Sequence, residues 1–295
     1  MYHQLLFGTA RNLLVCGQDS MMYKTGVTVG GTILFPYAEW IIDWAVENEI
    51  DTLYFIARDG YIIKKLVETI IMKRELSVKT KYMYGSRKAW RLPALVNDKM
   101  NIAEYIKASN WNFISTIGAL ATVLGVTEKE IIRYSNTAEK NRNGIIGKGI
   151  LFKIIEELET GDFKELLVKK VCESRENVYR YISQEISFHE KFAFVEMSGT
   201  GYTQHCLQML IESIKPNSEI TTLFFNLKDR KQYKNCHNIC FIPNNIELAY
   251  VIELFSRSLE NQTIGYREVD GKVLPVFEGN DEYMLAKYGY GTYID

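Results

Sequence analysis

Three short segments combine residue types that could hold a phosphorylated ligand: Ala57-Arg58-Asp59-Gly60, Tyr84-Gly85-Ser86-Arg87-Lys88, and Glu196-Met197-Ser198-Gly199-Thr200-Gly201-Tyr202-Thr203. Each follows a run that reads as a strand, and open parallel sheets bind ligands outside the carboxyl ends of their strands. The third segment carries the most information. A carboxylate, Glu196, ends an apolar strand. A loop of glycines and hydroxyls follows, and a helix begins near Thr203. Small residues let backbone N–H groups approach an anion, hydroxyls add donors, and the helix start adds its positive end. That chemistry suits one terminal phosphate. The Lys of GxxxxGK[ST] is missing, which argues against a P-loop nucleotide triphosphatase. The plain alternative is a strand-to-helix turn whose glycines serve only the backbone.

The other two loops follow the same logic. Arg58 offers a planar fork for phosphate oxygens, and Asp59 can hold a hard cation or a sugar hydroxyl. The alternative is a surface turn with an Arg–Asp pair. Ser86, Arg87 and Lys88 form with Arg91 a small basic cluster, which could equally be a solvated loop. Weaker candidates remain. Cys236-His237-Asn238-Ile239-Cys240 has thiolate and imidazole groups, but no second ligand pair at zinc spacing. His205 stands at a helix start, where it could touch a ligand or simply pack. Glu253 lies within ELAYVIELF, either on a polar face or pointing inward and needing a partner. Most of the 19 tyrosines bridge core and surface, although stacking on sugars is open to them. Neither GxSxG nor DxDx[TV] occurs, so serine and aspartyl nucleophiles lack support.

The elements that must position these loops alternate. Residues 32–50 read as an amphipathic helix, DTLYFIARDG as a buried strand and turn, and YIIKKLVETIIMK as a second helix. TKYMYGSRKAWRL reads as a strand running into a polar loop. Residues 100–189 carry periods near 3.6, punctuated by Gly125 and Asn141-Arg142-Asn143-Gly144, and read as an α-helical insertion. KFAFVEMSGTGYTQHCLQMLIESI returns to strand, glycine turn and helix, and SEITTLFFNLKDR is a buried strand ending in charges. ELAYVIELFSRSLENQ reads as a helix, and Asp270-Gly271 between alternating runs marks a hairpin. The expectation is an α/β fold with a parallel-sheet Rossmann-like core, a large helical insertion and a C-terminal β-hairpin. Residues 1–99 and 190–295 would form the core.

Composition sets the outer limits. The 295 residues carry 35 Lys+Arg against 36 Asp+Glu, a net charge of -1. That balance excludes a bulk nucleic-acid binder, which needs a basic excess. At 47% hydrophobic and 24% charged, the chain is globular and not disordered. Five cysteines without a tight framework fit a reducing compartment. The start, MYHQLLFGTARNLLVCG, does not read as a signal peptide. No apolar run approaches the roughly 20 residues of a spanning helix. The expected location is the cytoplasm, either free or peripheral to the inner face of the membrane. The Tyr-rich tail MLAKYGYGTYID reads as a surface that could pack on a neighbour.

Taken in order, GGTILFPYAEWIIDWAVENEIDTLYFIARDGYIIKKLVE, YGSRKAWRLPAL, FVEMSGTGYTQHCLQMLI, IELFSRSLENQTIGY and DGKVLPVF resemble the C-terminal half of a bacterial polysaccharide-locus family. That family is often labelled haloacid-dehalogenase-like. Its N-terminal half is phosphatase-like, and its C-terminal half is similar to a divergent glycan phosphoribosyltransferase. The resemblance covers most of the chain outside the helical stretch. It implies that 5-phosphoribosyl diphosphate donates a phosphoribosyl group to a glycan hydroxyl in surface-polysaccharide (capsule or O-antigen) biosynthesis. A phosphatase then leaves ribofuranose. The chain reads as the transferase half alone, so a separate phosphatase, and other glycosyltransferases, would be its partners.

The resemblance also implies roles. Ser198, Gly199, Thr200, Gly201 and Thr203 would bind the 5-phosphate, and Glu196 would face the ribose hydroxyls. Arg58, Asp59 and Gly60 would hold the diphosphate, with Asp59 on Mg²⁺ directly or through water. Ser86, Arg87 and Lys88 would line the donor site, the two cations neutralising further charge. The base is either Asp59 or Glu253. One departure stands out: Met197 follows Glu196, where ordinary phosphoribosyltransferases usually place a second acid. Two rivals remain, a haloacid-dehalogenase-type phosphatase and a non-catalytic scaffold of a polysaccharide-assembly complex.

Overall fold

The computed structural model describes residues 2–95, 101–108, 114–228, 231–243, 252–253, 255–258 and 260–278. Strand β1 (Thr52–Ile56) forms because its β-branched and aromatic run is buried throughout. Before it lie α1 (Tyr2–Cys16), α2 (Met21–Thr25), a π-helix (Gly26–Leu34) and α3 (Phe35–Glu47). The helix expected over 32–50 is therefore shorter than its apolar period, and its first residues belong to the π-helix. After β1 come α4 (Gly60–Arg74), β2 (Lys79–Met83) and α5 (Arg87–Leu95).

The helical stretch follows as α6 (Ile102–Ala108), α7 (Ile117–Leu124), α8 (Glu128–Tyr134), α9 (Asn136–Lys140), α10 (Lys148–Leu158) and α11 (Gly161–Glu185). Its apolar faces meet in a buried cluster of their own, including Ile106, Leu120, Leu124, Ile154, Leu158, Phe163 and Leu167. The chain then returns through β3 (Phe192–Gly199), α12 (Tyr202–Ile214), β4 (Ile220–Leu227) and β5 (Cys236–Cys240), and closes with β6 (Thr263–Val269) and β7 (Lys272–Phe277).

Strands β1 to β5 form one parallel sheet in the order β2-β1-β3-β4-β5. The α/β class read from the sequence is therefore present. Successive side chains point to opposite faces. Leu53, Phe55, Val195 and Phe225 join α3 and α4 in one buried cluster, while Tyr54, Ile56 and Phe194 join α11 and α12 in another. Chain growth reverses between β1 and β3: β2 lies to one side of β1, and β3, β4 and β5 lie to the other. Such a reversal opens a crevice at the strands' carboxyl ends. Phe55 sits beside Val195, so the two loops that follow share that crevice.

The hairpin stands apart from the sheet and turns at Asp270-Gly271, both in the left-handed region. It is fastened to α11 by Tyr266 stacked on Tyr181 at 4.2 Å and by Gln184 bonding both polar groups of Val273. The Trp90 indole donates to the Tyr266 hydroxyl, which donates to the Tyr84 carbonyl.

Two expectations need correction, and one segment gains an assignment. The polar loop expected after β2 is a helix: Ser86 caps it, its hydroxyl accepting from the backbone N–H groups of Lys88 and Ala89. Cys236–Cys240 is an edge strand. The helix expected over 247–262 is described only at 252–253 and 255–256, and residues 257–258 are not helical. The tail at 284–295 lies outside the described residues. Among those described, no helix is long and apolar enough to cross a membrane.

Gly85 carries a steric prediction. A Cβ there would fall 1.8 Å from the Trp90 ring, which is fully buried. Gly85→Ala should therefore destabilise the fold by about 1–3 kcal/mol, the usual cost of overpacking. The denaturation midpoint should fall with an unchanged m-value.

Candidate functional site

A cavity of about 390 Å³ opens at the β1/β3 reversal. Its lining includes Arg58 and Asp59 after β1, Ser86 and Arg87 at the start of α5, Glu196, Ser198, Gly199 and Thr200 on and after β3, Thr203 on α12, and Glu253. Ten of the predicted site residues thus meet in one place. Gly60, Lys88 and Gly201 do not line it.

Each of those three has a structural reason. Gly60 opens α4 against strand β1, where a Cβ would lie 3.0 Å from the Phe55 Cβ. Gly201 holds a φ of 77°, and a Cβ there would fall 2.5 Å from Asn238 Nδ2. It turns the chain into α12. Lys88 points to a neighbouring cavity and pairs with Glu278.

Two further predictions are refined. Glu196 does not end its strand, because β3 continues to Gly199 and places the carboxylate inside the sheet's tip. Ser86 lines the cavity wall with its hydroxyl already engaged, donating to the Thr263 carbonyl at 2.5 Å and capping α5. His205 does not face the cavity: its ring stacks on Tyr233 at 4.6 Å. The Cys236-to-Cys240 segment shows a packing role, and among the described residues no group of three or more His, Cys, Asp or Glu is placed to hold a metal.

Among the cavity residues that sequence reasoning left out of the site are four with long polar side chains: Arg91, Gln204, Lys228 and Gln262. Arg91 is buried, its Nε and Nη2 both donate to Thr203 Oγ1 at 3.0 and 2.9 Å, and it lies over the Tyr202 ring. Thr203 therefore has only its own proton left to offer a ligand. Gln204 donates to Glu196 Oε2 at 3.0 Å, and the Met197 N–H donates to Oε1 at 3.1 Å. Lys228 follows β4, and Gln262 precedes β6. The rule that pointed to the first three strand ends would have found Lys228 at the fourth.

The electrostatics are unbalanced. Burial raises all three carboxyl groups, Asp59, Glu196 and Glu253. Asp59 is pushed up to about 7, first by burial and then by the charge of Glu253, against the pull of Arg58 and Arg87. Glu196 lies well above the carboxylate range through burial and the charge of Asp59. Lys228 opposes the rise at Glu253 most strongly. The Ser198 hydroxyl also eases that rise, though its contact falls outside hydrogen-bond geometry. On the cationic side, neither the Arg58 nor the Arg87 guanidinium has a hydrogen-bond or ion-pair partner among the described residues. Two guanidinium forks facing a cavity in this way have the donors that an anion could use.

The raised Asp59 has a consequence for stability. A carboxyl whose folded pKa exceeds its unfolded value binds more protons folded than unfolded, so stability falls as pH rises between the two. Magnesium-free protein should lose stability from about pH 4 to about 7, and Asp59→Asn should flatten that slope and raise the melting temperature at pH 8. Melting curves across pH check this directly.

No family model matches this chain, and no curated protein matches it.

Proposed function

We propose that the chain transfers a 5-phosphoribosyl group from 5-phosphoribosyl diphosphate to a glycan hydroxyl. One observation carries the reading: unpartnered Arg58 and Arg87 share a single cavity with the Ser198–Thr203 turn at the sheet's reversal. A donor with an anion at each end of a pentose needs two anion sites around a sugar-sized space.

The Ser198, Gly199 and Thr200 turn and the start of α12 take the 5-phosphate through backbone N–H groups and hydroxyls. Glu196, oriented by Gln204, hydrogen-bonds the ribose hydroxyls. Arg58 and Arg87 hold the diphosphate, where negative charge grows as the C1–O bond breaks. Glu253 takes the proton of the attacking hydroxyl, since burial raises its pKa and so strengthens it as a base. Arg91 positions Thr203.

The donor set also fits Mg²⁺. Asp59 is a hard oxygen ligand whose pKa is raised first by burial and then by the charge of Glu253, both of which a bound cation would offset. Mg²⁺ usually takes one or two carboxylates plus substrate phosphates, so a three-residue protein cluster is not required. Bound at Asp59, the cation would neutralise the departing diphosphate.

The direct test is a thermal shift with 5-phosphoribosyl diphosphate. A ligand that binds only the folded state stabilises it by mass action, so the melting temperature should rise in a Mg²⁺-dependent way. No shift would favour a scaffold, and robust hydrolysis of p-nitrophenyl phosphate lost on one Asp substitution would favour a phosphatase. Thr200→Val removes one hydroxyl from the exposed lip of the phosphate turn. It should raise the donor Kd by about ten-fold, the worth of one charge-assisted hydrogen bond, with little change in turnover. Calorimetric titration of the donor reads it.

A further inference from the structure

A second cavity, of about 520 Å³, lies behind the α5 wall of the first, and Arg87 and Arg91 line both. Its other walls come from the helical stretch and the hairpin. Leu92, Pro93, Val123, Val171, Val178 and Ile264 make them largely apolar. The charges at its edge are mostly cationic: Arg87, Lys88, Arg91 and Lys170 stand against Glu278. Lys88 is neutralised by Glu278 and Lys170 by Glu130, while the Arg87 guanidinium has no hydrogen-bond or ion-pair partner among the described residues.

We infer that this cavity is a second binding site, for a ligand with an apolar body and a single anionic head, and that the Arg87 guanidinium, whose five N–H donors suffice for an anion on each side, holds the head from this side. Apolar walls give such a ligand most of its contact area, and the unpartnered guanidinium fixes its orientation. A neutral sugar would leave those walls unmatched, and a small inorganic anion would leave the cavity unfilled. Because Arg87 also faces the first cavity, a ligand here ends beside the reacting centre. A ligand there that also carried a glycan hydroxyl would be the acceptor of the transfer. The acceptor role rests on the proposed function, whereas the binding site does not.

The probe is decyl phosphate below its micellar concentration, with decanol and inorganic phosphate as partial ligands. Ser174 lies exposed at the cavity's edge on α11, so Ser174→Trp can block the space without disturbing a core. Calorimetry should show decyl phosphate binding at least about ten-fold more tightly than either partial ligand, since it alone satisfies both halves of the site. Ser174→Trp should lose that binding by about ten-fold or more, and Ser174→Ala should keep it. Both variants should keep the wild-type shift with 5-phosphoribosyl diphosphate and Mg²⁺. Equal binding of decyl phosphate and decanol, or undiminished binding to Ser174→Trp, overturns the proposal. Tight decyl phosphate binding without any donor shift in the wild type sinks the phosphoribosyl reading and leaves the second site standing.

Discussion

Arg58→Ala should cut turnover by about a hundred- to a thousand-fold, the usual loss when one preorganised charge donor is removed. Donor binding should weaken far less. The guanidinium has no partner among the described residues, so its donors can serve the ligand. It gains most when the diphosphate leaves and its bridging oxygen takes up charge. An interaction stronger in the transition state than in the ground state lowers kcat and kcat/KM together. Arg58→Lys should recover only part of the loss, because an ammonium cannot make the two-pronged contact. Removing Arg58 also removes a charge that holds Asp59 down, so the variant's loss of stability with rising pH should steepen. A merely structural Arg58 would leave kcat intact in the folded fraction.

Glu253→Gln should be as damaging, with turnover down by about a hundred- to ten-thousand-fold. The substitution keeps the shape and removes the proton acceptor. Glu253 ionises above the usual carboxylate range because burial outweighs the help of Lys228 and Ser198. In the wild type, activity should therefore fall on the acidic side as Glu253 is protonated. In the variant that limb should disappear and leave a low, flat remainder. The donor's thermal shift should survive, since Glu253 does not hold either phosphate. If the acidic limb persisted in Glu253→Gln and vanished in Asp59→Asn, the base would be Asp59.

Much of this arrangement was legible in the sequence because parallel strands buried on both faces write themselves as apolar runs. TLYFI, FAFV and TTLFF could hardly be anything else. The strand-end rule then pointed to Arg58, Asp59, Glu196 and Ser198, and β1 and β3 proved to be neighbours at the reversal. The misses have equally physical causes. Strand β5 lies at a sheet edge with only Cys236 fully buried, so it lacks an apolar signature. Helix α5 starts with Ser-Arg-Lys, a polar run that imitates a loop, and carries Pro93 inside. Its amphipathic character depends on Trp90 and Arg91 being buried against the hairpin and α12, which no local window reveals. Lys88 and Arg87 are adjacent, yet successive helix residues diverge by about 100°, so only Arg87 reaches the reversal. The strand order itself, and with it the single shared cavity, is tertiary information.

The most direct measurement is a crystal structure with 5-phosphoribosyl diphosphate and Mg²⁺. The 5-phosphate should lie on the Ser198–Thr203 turn, the diphosphate on Arg58 and Arg87, and the ribose hydroxyls on Glu196. A donor seated outside this crevice, or a crystal soaked at high concentration that leaves it empty, would contradict the account.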